Sequence, residues 1–223
     1  MYLVFDIETI PDQSPDAKER IAEIIKHPTN MKLEKTIAKW EEEEKPKAIE
    51  SAWLKTALNG AYGQTVSIAA KYLDNNLKCA DSFLDTTESQ LENTLISSFY
   101  NWIGKHEHLI SGNQLIGHNT NFDTTFLYHR SVIWGESPTM RIVPNGRHEK
   151  DFFCTMQAWG GYNKYISLDE LCRILGIPGK TTKGSDVWPM VQAGEWSKLQ
   201  QYNMNDVDKT IEVYKRLTFY KGQ

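Results

Sequence analysis

Four acidic side chains occupy positions where carboxylate chemistry could be done. Asp6 and Glu8 are separated by one residue in YLVFDIE, an apolar run that predicts a strand over 2–8. Side chains alternate across a strand, so these two carboxylates share one face while Phe5 and Ile7 turn to the other. Either the strand has reached the surface and both acids are solvated, or they are buried and need compensation, because isolated buried charge is costly. A divalent cation is the least costly compensation, and hard oxygen donors suit Mg²⁺ or Mn²⁺. Asp123, in GHNTNFDTTFL, starts a helix that directly follows a strand, a position that equally suits an N-cap or first-turn acid. Asp206, in YNMNDVDKT, lies inside the last helix, where aspartate is a poor helix former and needs a reason. Tyr202 precedes it by four residues and stacks on the same helix face. Asp208 projects nearly opposite Asp206 and is read as the solvent-facing acid.

The elements that must position these groups follow from periodicity. Residues 14–58 are rich in Lys, Glu and Ala, with apolar residues at helical spacing (Ile21, Ile24, Ile25, then Ile37, Trp40, Ile49, Trp53), which predicts two or three helices. The acidic run at 41–44 reads as a solvated helix face. TVSIAAKYL (65–73) and LKCADSFL (77–84) read as two strands of a hairpin around an asparagine turn at 75–76. An amphipathic helix over 88–103 follows, with Thr86 or Thr87 as cap. QLIGHN (114–119) reads as a strand, and 135–150 as a loop. SLDELCRIL (167–175) reads as a helix capped by Ser167, with Glu170 completing a capping box. Further helices start near Val187 and at Glu195, the last running to Leu217. Strands followed by strands alternating with helices predict an α/β or α+β sheet covered by helices, with sites gathered at strand ends.

FDIET, GHNTNFD and YNMND, in that order, resemble the three motifs of the DEDD superfamily of 3′–5′ exonucleases, in the DEDDy subgroup whose third motif carries tyrosine. The resemblance points to the stand-alone proteins related to the proofreading exonuclease domain of family B DNA polymerases. It extends to the helical stretch after the first motif and to the C-terminal block from Ser167 to Thr210, and so spans most of the chain. It implies an α/β, ribonuclease H-like exonuclease fold with a central mixed β-sheet flanked by helices, as one domain over 1–223 that includes the helical segment at about 14–58.

The resemblance further implies that Asp6, Glu8, Asp123 and Asp206 hold two divalent ions, Mg²⁺ or Mn²⁺, which clamp the attacking and leaving oxygens of a phosphodiester hydrolysis. The implied activity is removal of nucleotides from the 3′ end of single-stranded nucleic acid, DNA ahead of RNA, releasing nucleoside 5′-monophosphates. The 3′–5′ polarity rests on the resemblance alone. Tyr202 is then a water-orienting phenol rather than a general base, given an ordinary pKa of about 10. Thr9, Ile10, Asn119 and Phe122 are candidates for contacts with the terminal nucleotide, and Lys180 and Lys183 for backbone phosphates. His118 forms an H-x-x-x-x-D with Asp123, the spacing of the histidine subgroup's third motif. That stretch already supplies the second motif, so His118 is read as a support or strand-end residue near substrate. A stand-alone domain would proofread only for a polymerase or repair protein in trans. The competing reading is a catalytically weak nucleic-acid-binding or polymerase-accessory module of the same fold.

Bulk properties are compatible with these readings. The net charge of −4 argues mildly against a protein that coats nucleic acid by basic excess, but not against one that holds metal ions. Three scattered cysteines (Cys79, Cys154, Cys172) exclude a disulfide framework and a zinc site of cysteines. No signal-peptide pattern or membrane-length apolar run is present, which makes the cytoplasm the expected location. LGIPGKT is not a phosphate-binding P-loop: its glycines, Gly176 and Gly179, are too close together and it follows a helix rather than a strand. Pro11-Asp12 with the acids and lysines beyond it does not make an endonuclease core, because those residues read as helical.

Overall fold

The computed structural model describes residues 1–106, 114–138, 152–161, 164–178 and 184–221. A five-stranded mixed sheet in the order β3-β2-β1-β4-β5 forms its centre. The strands are β1 (Tyr2–Ile10), β2 (Gln64–Leu73), β3 (Cys79–Thr86), β4 (Gln114–Gly117) and β5 (Phe152–Cys154). β1, β2 and β3 pair antiparallel; β4 lies parallel to β1, and β5 parallel to β4. The α/β sheet flanked by helices is the architecture of a ribonuclease H-like exonuclease.

Strand alternation divides the β1 side chains between two helical layers. Leu3, Phe5 and Ile7 join Ile68, Ala70 and Tyr72 of β2 against α4 (Glu92–Lys105) and α5 (Thr120–Trp134). Val4, with Ala69 and Leu73, faces the other way and meets Val207, Ile211 and Tyr214 of α9 (Trp196–Leu217). Each large apolar side chain so buried contributes about 1.5–3 kcal/mol. Helix α9 presents Leu199, Tyr202, Asn203, Asp206, Val207, Thr210, Ile211 and Tyr214 to the interior, a stripe of period 3.6 that includes the motif residues. Asp208 lies off that stripe, half-exposed and paired with Lys71, as its helical position predicts.

The remaining helices are α1 (Ala17–Ile24), α2 (Glu34–Glu43), α3 (Lys45–Lys55), α6 (Thr155–Gly160), α7 (Leu168–Ile174) and α8 (Val187–Gln192). Glu41–Glu44 is exposed throughout, the solvated face expected of an acidic run. No helix of the described residues is long and apolar enough to cross a membrane. Cys79, Cys154 and Cys172 are free thiols.

Several expected boundaries move. β1 does not stop at Glu8. A register shift between Glu8 and Thr9 carries it on to Ile10, whose side chain is buried with Val66, Met190 and Leu199. The β2–β3 turn is organised by Asp74 rather than by the asparagines: its Oδ1 accepts from the N–H groups of Asn76 and Lys78, both at 2.8 Å. β3 accordingly begins at Cys79 rather than at 77. Helix α4 starts at Glu92 rather than 88; its N-cap is Leu91, and Thr86 instead closes β3. Ser167 caps α7 as expected, accepting from the Glu170 N–H at 3.2 Å. The Glu170 carboxylate accepts from Arg173 Nε at 2.9 Å, so the outward half of the capping box is a surface ion pair. Of the loop expected at 135–150, residues from 139 onward lie outside the described residues.

Candidate active site

Val4, Asp6, Glu8 and Ile10 share the α9 face of β1. The outer two sit in apolar clusters, and the inner two are the acids. The strand therefore carries both carboxylates across the middle of a helix–sheet interface instead of delivering them to solvent. Helix α9 crosses here and adds Asp206, 4% exposed beside an 8% exposed Glu8. One carboxylate oxygen from each of Asp6, Glu8 and Asp206 lies within 4.8 Å of the other two. An all-oxygen donor set of this compactness suits a hard divalent cation.

The same helix orients its partners. Asn203, fully buried, donates from Nδ2 to Asp6 Oδ2 at 2.7 Å, and its Oδ1 accepts from Ser67 Oγ at 2.7 Å. Ser67 is the register partner of Glu8 on β2, so one amide ties helix, first strand and second strand together beneath the acids. Tyr202 is buried and its phenol pKa is pushed far up, by burial first and then by the charges of Glu8, Asp206, Asp6 and Asp186. At neutral pH it is a hydrogen-bond donor, and it is not a base.

Asp123 approaches from the β4 side. The pairing of β4 with β1 ends at Val4, and further along β1 the Ile7 N–H is met by Asp123 Oδ1, at 3.4 Å. Its position in the first turn of α5 follows from the β4–α5 connection, where Asn119 adopts a left-handed conformation (φ 63°) as N-cap. Burial, and secondarily the charge of Asp6, hold the Asp123 carboxyl well above the usual carboxylate range. Asp123 is thus electrostatically part of the acidic group, although the three oxygens within 4.8 Å belong to the other acids.

The other expected contact residues separate into different surroundings. Thr9 Oγ1 donates to the Ala57 carbonyl at 2.6 Å, in the 3₁₀ turn Thr56–Leu58 after α3. Ile10, a candidate for contact with the terminal nucleotide, is buried in the core at 5% exposure, because the extension of β1 draws it inward. Both ring nitrogens of His118 have protein partners, Nδ1 with Thr155 Oγ1 at 2.8 Å and Nε2 with the Ile166 carbonyl at 2.9 Å. His118 thereby braces β4 against α6 and the segment before α7, a supporting position. Phe122 is half-buried against Phe126 (centroids 5.6 Å apart), and with Asn119 it lines a groove of about 340 Å³ between α5 and Leu58–Gly60. Lys180 and Lys183 lie outside the described residues. Asn203 was not singled out from the sequence; its position three residues before Asp206 on the buried stripe of α9 is the signal that could have found it.

The family described as "Predicted 3′-5′ exonuclease related to the exonuclease domain of PolB" matches residues 55–223. That span includes Asp123, Tyr202 and Asp206, and it includes β2, on which β1 lays Asp6 and Glu8. No curated protein matches the chain. With about three quarters of its length inside that match, the chain belongs to the family of predicted 3′–5′ exonucleases related to the exonuclease domain of PolB.

Proposed function

We propose that the protein is a metal-dependent exonuclease that hydrolyses the terminal phosphodiester at the 3′ end of single-stranded nucleic acid, DNA in preference to RNA, and releases nucleoside 5′-monophosphates. The observation that carries this reading is the convergence of Asp6, Glu8 and Asp206 within 4.8 Å, with Tyr202 one helical turn from Asp206 on the same face. Two divalent ions held by these acids and Asp123, Mg²⁺ or Mn²⁺, would supply the Lewis acidity that makes water a nucleophile at neutral pH and that stabilises the departing 3′ oxygen.

The chain's own residues have distinct tasks in this scheme. Asn203 fixes the Asp6 carboxylate through Nδ2, and Ser67 fixes Asn203, so the donor set is oriented before any substrate arrives. Tyr202, kept protonated by burial and by the surrounding carboxylates, donates a hydrogen bond that orients the attacking water. The water oxygen bonds to phosphorus as the bond to the 3′ oxygen breaks, and the terminal nucleotide leaves with its 5′ phosphate. A chain of net charge −4 attracts an anionic strand to this site only with the carboxylates neutralised, so substrate binding near the acids should depend on the cation. A DNA polymerase or a replication or repair protein is its proposed partner.

The test uses 5′-labelled single-stranded DNA and RNA with Mg²⁺ or Mn²⁺, and with EDTA and Asp6→Ala protein as controls. A metal-dependent ladder that shortens from the 3′ end, faster on DNA and lost in the variant, is the expected result. Intact strands under every condition would instead favour the accessory-module reading.

A further inference from the structure

The segment that leaves β5 returns to its own starting point. His118 engages Thr155 Oγ1 through Nδ1 and the Ile166 carbonyl through Nε2, at 2.8 and 2.9 Å, so both ends of the segment meet on one imidazole ring. Further out its two arms, 155–161 and 164–166, meet again. A Cβ on Gly160 would lie 2.9 Å from the Lys164 Cβ, and the Lys164 N–H donates to the Gly161 carbonyl at 3.3 Å. Between these closures stand Trp159 on the outgoing arm and Tyr165 on the returning one. The segment is a lobe with a fixed base.

Strand register places that base beside the acids. β4 pairs with β1 as far as Val4–Ile116, and β5 with β4 as far as Gly117–Cys154. Both strands therefore end level with Phe5, next to Asp6, and His118 and Thr155 follow them directly. Two strand spacings separate β5 from β1, roughly 10 Å. Helix α6, the outgoing arm, packs against α9, which carries Tyr202 and Asp206. The lobe lines no part of the groove between α5 and Leu58–Gly60.

Its composition selects a partner. Trp159 is 45% exposed and Tyr165 80% exposed, and Lys164 between them is exposed as well. Single exposed aromatics are ordinary, but two on one lobe with a cation are a surface with a chemistry. The chain has 29 acidic residues in 223, yet residues 152–168 contain none, so the lobe lacks the charge that repels a polyanion elsewhere on this protein. Aromatic faces and a cation without an acid are what single-strand binders offer: bases stack on the rings whatever their identity, and the ammonium meets a backbone phosphate.

We infer that Trp159 and Tyr165 form a stacking platform for unpaired bases upstream of the strand end, with Lys164 on a backbone phosphate and His118 holding the lobe level with Asp6. This rests on the exonuclease reading for the strand itself. It goes beyond that reading by giving the protein a hold on the part of the strand that is not being cleaved, a hold indifferent to base identity.

The experiment is fluorescence anisotropy in Ca²⁺, an ion that carboxylate oxygens bind, so that the strand end is not repelled by bare acids. The ligands are two 5′-labelled single-stranded DNAs of about twelve nucleotides, one intact and one abasic at every position except the last four at the 3′ end. Length and charge are equal, and only upstream bases differ. Wild-type protein should bind the abasic strand about fivefold or more weakly, the low end of what stacking a single base contributes. Trp159→Ala and, independently, Tyr165→Ala should bind the intact strand more weakly and show a smaller difference between the two strands, which Trp159→Phe should retain. Wild-type affinities within about twofold for the two strands would overturn the inference, without reliance on any variant folding. So would a difference that persists at full size in both alanine variants, since the bases would then rest on another surface. Replacing Ca²⁺ by Mg²⁺ or Mn²⁺ tests the activity separately: base-dependent binding without shortening refutes the nuclease reading alone, and shortening without base-dependent binding refutes the platform alone.

Discussion

Asn203 donates a hydrogen bond to Asp6 across 197 residues of sequence, 2.7 Å from Nδ2 to Oδ2, while its own oxygen accepts from Ser67. Its side chain is fully buried, so Asn203→Ala deletes two interior bonds at once. The expected loss of stability is about 1–3 kcal/mol, measured as a shift in the urea midpoint. Asn203→Asp should retain the shape but place a carboxylate against Asp6. Its nuclease rate should recover with rising Mn²⁺ concentration if the added charge is balanced by the ion, and recovery by urea stability alone would point to a purely structural role.

Asp206 and Asp208 differ by two residues and should differ completely in consequence. Asp206→Ala is expected to abolish turnover and to retain a cooperative thermal transition, because a buried acid in a like-charged group is removed. Asp208→Ala breaks an exposed pair with Lys71 and should alter stability by no more than about 1 kcal/mol, with the rate unchanged. Steady-state rates of the two variants side by side decide it.

Tyr202→Phe removes a hydroxyl and little else. The rate should fall by about 10- to 100-fold without reaching zero, the range for losing one oriented hydrogen bond in a reacting site. Because the phenol is held protonated by burial and by nearby carboxylates, the wild-type rate should show no alkaline limb that disappears in the variant. Such a limb would make the tyrosinate the active form.

Asp123 gives the metal-free protein a pH dependence of unusual sign. Its folded-state pKa is raised, by burial and then by Asp6, whereas the unfolded chain releases the same proton near its ordinary value of about 3.9. Between these values the folded state binds more protons. The contribution of Asp123 to stability is therefore complete below the unfolded pKa and is lost as pH rises through the folded one. In EDTA, the stability of the wild type relative to Asp123→Asn, read as the difference between their thermal midpoints, should decline as pH is raised above about 4. Mg²⁺ should restore most stability at the higher pH, where the carboxylates it binds are ionised.

Glu92 and Arg130 form a buried ion pair at 2.6 Å, and Glu92 also accepts from the Thr65 N–H and from Trp134 Nε1. Glu92→Ala leaves a guanidinium buried without its carboxylate and should cost about 3–5 kcal/mol by urea denaturation. The double variant Glu92→Leu, Arg130→Met should recover a large part of that loss, which separates desolvation of the survivor from packing.

The motif acids could be located from local periodicity, for a simple reason. Alternation along β1 places Asp6 and Glu8 on one side, and the 3.6 repeat of α9 places Tyr202 and Asp206 on one stripe; both patterns are written within a few residues. The features that escaped depend on partners far along the chain. That β1 continues to Ile10 is decided by burial against Val66 and Leu199, and the role of Asn203 by Asp6 and Ser67. The capping of α4 at Leu91 reflects the register of β3, which claims Thr86. For His118 the reading as a support or strand-end residue follows from its place after β4, but its partners, Thr155 and Ile166, lie far along the chain.

The outer strand β3 has a consequence for how the molecule behaves at high concentration. A strand at the border of a sheet normally exposes main-chain donors on which another chain can add itself, the first step of edge-to-edge association. Here two of those donors are already occupied: the N–H groups of Ser82 and Thr86 are bonded at 2.8 Å by the side chains of Asp81 and Asp85, the residues just before them. The two aspartates both block the border and repel a second copy of the same charge. Self-association through this border should therefore be suppressed by sequence-local acids, and light scattering of an Asp81→Asn, Asp85→Asn protein would reveal it as aggregation that the wild type resists.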